Sequence, residues 1–313
     1  MRTIAVTEFG GPEVLAEREA ERPEPLPTEV LVRVEAAGVN PVDIKTRSGK
    51  GMAAVLGDTP FVLGWDVAGV IEEIGAGVTR FRVGDPVLGM PWFPRQAAAY
   101  AEYVTAPSRH FARRPEVLSV VEAAALPLAG LTAWQALVET AGVSRGDRVL
   151  IHAGSGGVGH LAVQIAASLG AEVLTTARAE KHEFLTGLGA SHIIDYENER
   201  FEDVASDLDV VVDLIGTDEY GVRSLDCLRG GGLLICVPSG ASQTVLERGP
   251  EQGKRVTGIL VEPDRAALEG LCALVDAGRL RVEVEDSFDL GEAAEAHRRI
   301  ESGRTRGKLV LTV

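Results

Sequence analysis

Apolar positions follow two different patterns along the chain. Over residues 1–118 they fall in short β-branched runs such as Glu29-Val30-Leu31-Val32-Arg33-Val34-Glu35 and Asp66-Val67-Ala68-Gly69-Val70-Ile71. Turn signals separate these runs: Gly10-Gly11-Pro12, Pro23 to Pro27, Gly75-Ala76-Gly77 and Gly84-Asp85-Pro86. Five or more strands with few helices predict a partly closed β-barrel. From about residue 119 the pattern becomes helical. Glu122 to Val138 is Ala/Leu-rich, with a break predicted at Pro127.

Strands then alternate with helices. Arg148–Ala153 reads as a strand, and Val158, Leu161, Ala162, Ile165 and Leu169 share one face of the helix that follows, with Gly170 placed to cap it. Further strands are predicted at Glu172–Ala177, His192–Ile194, Asp209–Ile215 and Gly232–Val237, with a helix over Ala179–Leu188. Continuous apolar runs between helices are the mark of a parallel sheet covered on both faces. Beyond residue 258, helices over Arg265–Ala277 and Gly291–Ser302 precede a final strand, Lys308–Val313, expected to rejoin the first domain. The predicted class is therefore α/β: one domain from 1–118 with 258–313, and a doubly wound parallel sheet over 119–257.

Composition narrows the field. Of 313 residues, 45 % are hydrophobic and 25 % charged, as in ordinary globular chains, which excludes disordered and fibrous classes. Asp and Glu outnumber Lys and Arg 46 to 31, a formal charge of −15 that argues against nucleic-acid or anionic-membrane partners. Cys227, Cys236 and Cys272 lack zinc-site spacing and fit a reducing cytoplasm. Glu8 interrupts the N-terminus before a signal-peptide core can form, and the long uncharged run from 149 to 171 contains His152, His160, Gln164 and several glycines, unlike a lipid-facing helix.

Gly154-Ser155-Gly156-Gly157-Val158-Gly159 fits G-x-G-x-x-G, after an apolar strand and before an amphipathic helix. That context makes it a Rossmann-type dinucleotide fingerprint: a tight turn, a close backbone approach to pyrophosphate, and a helix N-terminus offering free N–H groups. Nineteen residues past Gly159, where NAD sites place a carboxylate, stands Arg178, with Lys181 one turn later. Two cations there attract a 2′-phosphate, so NADPH is the expected cofactor; two solvated surface cations are the alternative. No tyrosine precedes a lysine by four residues, which excludes the short-chain dehydrogenase pattern.

Several segments occur in the order found in one family: Ala36 to Asp43 with Arg47-Ser48-Gly49, Leu63-Gly64-Trp65-Asp66-Val67-Ala68-Gly69, Val83 to Val87, Tyr100 to Tyr103, Leu131 to Trp134, the glycine loop, and Gly307-Lys308-Leu309-Val310. With them the chain resembles, nearly end to end, the medium-chain dehydrogenase/reductases and specifically their zinc-free quinone-oxidoreductase branch. The resemblance implies a GroES-like barrel for the first domain and a Rossmann domain for the second. Zinc alcohol dehydrogenases carry Cys-His where this chain has Asn40-Pro41, and Gly-His-Glu where it has Gly64-Trp65-Asp66; neither Pro41 nor Trp65 can ligate zinc. No metal is expected. Without a Lewis acid, the acceptor must take hydride readily.

The resemblance implies hydride transfer from NADPH to a quinone or activated α,β-unsaturated carbonyl in the cleft between the domains. It places Asn40 near the substrate oxygen and Thr132 beside the nicotinamide; a turn role for Asn40 stands equally. Asp43 and Arg47 match the family pattern, either as site residues or as an i, i+4 ion pair. Around the cofactor it implies Gly154, Ser155, Gly156, Gly157, Val158 and Gly159 at the pyrophosphate, and Thr176, Arg178, Lys181 and Tyr196 toward the adenosine phosphate. Ile215, Gly216, Val237, Pro238 and Ser239 lie at strand ends, and Lys308 either approaches the cofactor or is solvated. His152, His160, His110 and His297 read as structural, packing or surface residues. Departures are Lys45 where relatives carry tyrosine, Val237-Pro238 in place of Phe-Gly, and a pocket-lining loop over Gly49–Thr59. Alternatives are an enoyl-thioester reductase and a non-catalytic NADPH-binding redox sensor. A homodimer is expected through the edge strand Arg255–Val261.

Overall fold

The computed structural model describes residues 1–313 apart from Ser239. The chain divides into two compact units, Met1–Leu131 with Glu262–Val313, and Thr132–Val261. The first is built on a seven-stranded sheet in the order Val284–Asp289, Lys308–Thr312, Glu29–Val39, Val67–Ile74, Pro86–Gly89, Phe111–Arg113, with Tyr103–Pro107 also pairing Glu29–Val39. A three-stranded sheet, Leu15–Glu19, Arg2–Val6 and Phe61–Val62, accompanies it. The last strand does rejoin this unit: Leu309 stands opposite Val39 and Thr312 opposite Ala36, antiparallel.

Pro127 breaks the helical stretch as expected. Ser119 and Glu122 close a capping box on the helix Val120–Ala125, and Pro127 opens a new helix, Pro127–Trp134. The first helix packs its buried Ala123, Ala124 and Ala125 onto Glu29–Val39, Val67–Ile74 and Lys308–Thr312. That packing ties 119–131 to the barrel unit, whereas the sequence reading drew the border at 118/119. The second border falls at 261/262. A six-residue π-helix, Gln135–Thr140, continues the helix, a feature without a sequence signal. Within 49–59 a short helix, Ala53–Leu56, replaces the expected plain loop.

The second unit holds a six-stranded sheet, all parallel, in the order His192–Asp195, Glu172–Ala177, Arg148–Ile151, Leu208–Asp213, Leu228–Cys236, Arg255–Gly258. Numbered within the unit this is 3-2-1-4-5-6, the doubly wound order, whose switch point lies between Arg148–Ile151 and Leu208–Asp213. The core, with Leu150, Leu174, Ile194, Val211 and Leu234 from successive strands, is continuous across the sheet. Helix Gly159–Leu169 ends at Gly170 in the left-handed conformation, as predicted. The helix expected over Ala179–Leu188 splits into a 3₁₀ turn, Ala179–Lys181, and a short helix, His182–Thr186. The final helix runs Ala293–Glu301.

A candidate dinucleotide site and a buried polar network

The glycine turn follows the strand Arg148–Ile151, at the carboxyl end of the sheet and beside the switch point. Its backbone is compressed against its neighbours. A Cβ on Gly154 would stand 1.9 Å from Thr175 Oγ1, and one on Gly159 would stand 2.2 Å from the Ala153 carbonyl oxygen. No side chain fits at either position. A Cβ on Gly156 would meet only the Ala153 carbonyl oxygen, at 3.3 Å, so its outer face is open. Among the described residues, the N–H groups of Ser155, Gly157 and Val158 meet no protein acceptor, and no side chain caps the helix Gly159–Leu169. Free amides at a helix N-terminus above an open glycine suit a pyrophosphate.

Thr176 has an inward task. Its buried hydroxyl accepts the Ala153 N–H at 3.1 Å and lies 3.2 Å from His152 Nδ1, while its carbonyl accepts the Gly154 N–H at 3.1 Å. Thr176, expected near the adenosine phosphate, thus also braces the turn, and Thr175, whose hydroxyl donates to the Ile151 carbonyl at 2.7 Å, is a second brace. His152 is fully buried, its Nε2 3.0 Å from Ser224 Oγ, and burial pushes it down to about 3. His160 is likewise buried, its Nδ1 2.9 Å from the Gly156 carbonyl.

Arg178 directly follows the strand Glu172–Ala177, and Tyr196 and Glu197 follow the neighbouring strand His192–Asp195, in which Asp195 stands beside Ala177. Arg178 Nε is 2.9 Å from Glu197 Oε1 yet makes no aligned hydrogen bond. Tyr196 and Glu197 together raise the arginine above its ordinary value. Lys181 is half-buried and forms no ion pair among the described residues. At the end of Leu208–Asp213, the buried Asp213 carboxylate accepts the N–H groups of Ile215 at 2.8 Å and Gly216 at 3.1 Å. Sequence reading missed this residue, which shapes the turn carrying two of the expected contacts. Val237 and Pro238 are half-buried beyond the next strand; Ser239 lies outside the described residues.

In the barrel unit the expected residues converge on one buried network. Lys308, 3 % exposed, directs its ammonium to the Val39 carbonyl at 2.9 Å, to Asn40 Oδ1, and to Asp66 Oδ2 at 3.5 Å. It is therefore not a solvated lysine, and its three N–H groups are matched by three protein oxygens. Asn40 Nδ2 donates to Asp66 Oδ2 at 2.8 Å, so both ends of that amide also have internal partners. Asp66 Oδ1 accepts the Leu128 N–H at 2.6 Å. Burial pushes Asp66 up and Lys308 down, each opposed by the other's charge.

Asp43 and Arg47, four residues apart on the helix Pro41–Arg47, do not pair with each other. Arg47 joins Glu301, donates to the Gly10 carbonyl at 3.1 Å, and reaches His297 Nδ1 at 3.0 Å. A guanidinium only donates, so Nδ1 accepts and the ring proton sits on Nε2, 3.2 Å from the Tyr100 hydroxyl. That hydroxyl donates to Asp43 Oδ2 at 3.2 Å, which also accepts the Asn40 N–H at 2.7 Å. Asp43 Oδ1 is buried without a hydrogen-bond partner among the described residues. Burial, reinforced by Asp66, pushes Asp43 up to about 7, against the Asn40 amide, Lys308 and Tyr100. Burial pushes His297 down to about 3. His297, expected to be a surface or packing residue, is a fully buried link in this chain. Thr132 is 4 % exposed in Pro127–Trp134, at the start of the second unit.

These residues do not fit zinc. The Lys308 ammonium faces Asp66, Trp65 Nε1 donates to the Arg95 carbonyl at 2.7 Å, and among the described residues no three His, Cys, Asp or Glu side chains are grouped for a metal.

Residues 26–116 match the family described as alcohol dehydrogenase GroES-like domain, and residues 188–311 the one described as zinc-binding dehydrogenase. The chain is 36 % identical to 2-haloacrylate reductase of a Burkholderia species, over 96 % of each chain. It superposes on the quinone oxidoreductase of Coxiella burnetii with a TM-score of 0.95 and 41 % identity, over 100 % of this chain and 99 % of the other. Against the Escherichia coli quinone oxidoreductase complexed with NADPH the TM-score is 0.88 and the identity 30 %, with each chain fully covered.

Proposed function

Because the chain belongs to the quinone oxidoreductase family of the medium-chain dehydrogenase/reductases, we propose that it is an NADPH-dependent oxidoreductase that reduces a quinone or an activated α,β-unsaturated carbonyl. The observation that carries the reading is the glycine turn, in which Gly154 and Gly159 admit no side chain and the amides of Ser155, Gly157 and Val158 are left free. Bound NADPH supplies the hydride. The chain's own residues bind and orient it: the turn and the N-terminus of Gly159–Leu169 take the pyrophosphate, and Arg178, Lys181 and Tyr196 the adenosine phosphate. The Ile215–Gly216 and Val237–Pro238 turns line the strand ends beside the switch point.

In the barrel unit, Lys308, Asn40 and Asp66 fix one another, and we assign Asn40 and Thr132 to the reacting end of the site. Asp43 and Arg47 hold the helix that carries Asn40 at its N-terminus. No step runs through a metal, because Asp66 is matched by an ammonium and Trp65 by a carbonyl. The test is NADPH oxidation with benzoquinone, an alkenal and crotonyl thioester in the presence of a chelator. Turnover of the first two, unchanged by the chelator, is expected; loss on chelation with recovery on added zinc would overturn the reading. Preference for the thioester would favour the enoyl reductase, and tight binding without turnover the sensor.

Among the described residues the strand Arg255–Gly258 pairs on one side only, with Leu228–Cys236, and we assign that free edge to a homodimer contact. Among the described residues no helix is long and apolar enough to cross a membrane, and the three cysteines are free, which suits the reducing cytoplasm.

A further inference from the structure

Arg178 is held by a carboxylate of its own chain, and the two adjacent strand ends explain why. Asp195 stops the strand His192–Asp195 in a side-chain turn: its carboxylate accepts the Glu197 N–H at 3.2 Å and Asn198 Nδ2 at 2.7 Å. The turn fixes the Glu197 backbone next to the strand that Arg178 follows, and Oε1 comes to 2.9 Å from the arginine Nε. The contact is an imperfect one. Among the described residues Nε is buried without an aligned acceptor, while the Glu197 side chain is 53 % exposed and free to leave at little cost.

We infer that Glu197 sets the cofactor selectivity of this chain by competing with the 2′-phosphate for Arg178. The inference rests on the reading of Arg178 as a 2′-phosphate ligand and adds a residue that opposes it. A 2′-phosphate brings nearly two negative charges at neutral pH and strong acceptor oxygens. On the Arg178 guanidinium it meets the Glu197 carboxylate already in place, and Glu180 adds a second negative charge nearby. NADPH must therefore displace Glu197, whereas NADH leaves it where it is. The pairing lowers affinity for the phosphorylated cofactor alone and reduces the preference that Arg178 and Lys181 create.

The experiment is calorimetric titration of NADPH and NADH into the wild type, Glu197→Gln and Arg178→Ala. Glu197→Gln should tighten NADPH about three- to tenfold, with NADH unchanged within about twofold. The gain should shrink at high salt, because the Glu197 carboxylate is exposed. If Arg178→Ala weakens NADPH selectively and Glu197→Gln leaves it unchanged or weaker, the inference is overturned and the 2′-phosphate reading survives. If Arg178→Ala affects both cofactors equally, the reading itself fails and the inference with it.

Discussion

Lys308 shows how far a residue's task can lie from its sequence neighbourhood. In the sequence it is a lysine near the terminus, open to solvation or to the cofactor. In the fold it is the buried cation between Asn40 and Asp66, 268 and 242 residues away. Removing one partner of a buried pair leaves the other unmatched, so Lys308→Met should cost about 3–5 kcal/mol in urea denaturation. A loss under about 1 kcal/mol would show that the ammonium does not compensate Asp66. Asp43 makes a sharper prediction. Its native value near 7 lies above its free value of 3.8, so the folded state holds more protons between those limits. Its contribution to stability therefore declines as pH rises from about 4 to 7. His297 and His152, near 3 when folded and 6.5 when free, act in the opposite direction between pH 3 and 6.5. Asp43→Asn removes only the first contribution, so its stability relative to wild type should climb with pH by up to about 1.4 kcal/mol per unit. Parallel stability curves for the two proteins would contradict the assignment. Spacing pointed to Asp43 and Arg47, but their true partners Tyr100, His297 and Glu301 are long-range and carried no local signal.

At the level of elements the pattern was more legible. The strand, glycine turn and helix from Arg148 to Gly170 follow from an apolar run, a G-x-G-x-x-G spacing and a terminal glycine, each a local rule. The break at Pro127 and the capping of Val120–Ala125 are local too. Where local rules were silent the reading departed: the π-helix at Gln135–Thr140 and the short helix Ala53–Leu56 follow no periodicity. Thr176, where a ligand contact is expected, also braces the turn with its hydroxyl, a task without a local signal. The turn's tightness is directly testable. Gly159→Ala sets a Cβ against a backbone carbonyl that cannot swing aside. It should lower stability by about 1–3 kcal/mol and weaken both dinucleotides together. Undiminished binding would mean the turn can open without cost.

Over the whole molecule, the GroES-like unit and the parallel-sheet unit agree with the family to which the chain belongs. The free edge at Arg255–Gly258 predicts a particle of twice the 33.1 kDa chain mass in light scattering at micromolar concentration. A particle of single-chain mass would place the dimer contact in error. The account as a whole depends on one binding event, and calorimetric titration of the unmodified protein with NADPH and with NADH measures it directly. NADPH should bind at least about tenfold more tightly, because only NADPH carries the 2′-phosphate proposed to meet Arg178 and Lys181; equal affinities, or tighter NADH, would contradict it.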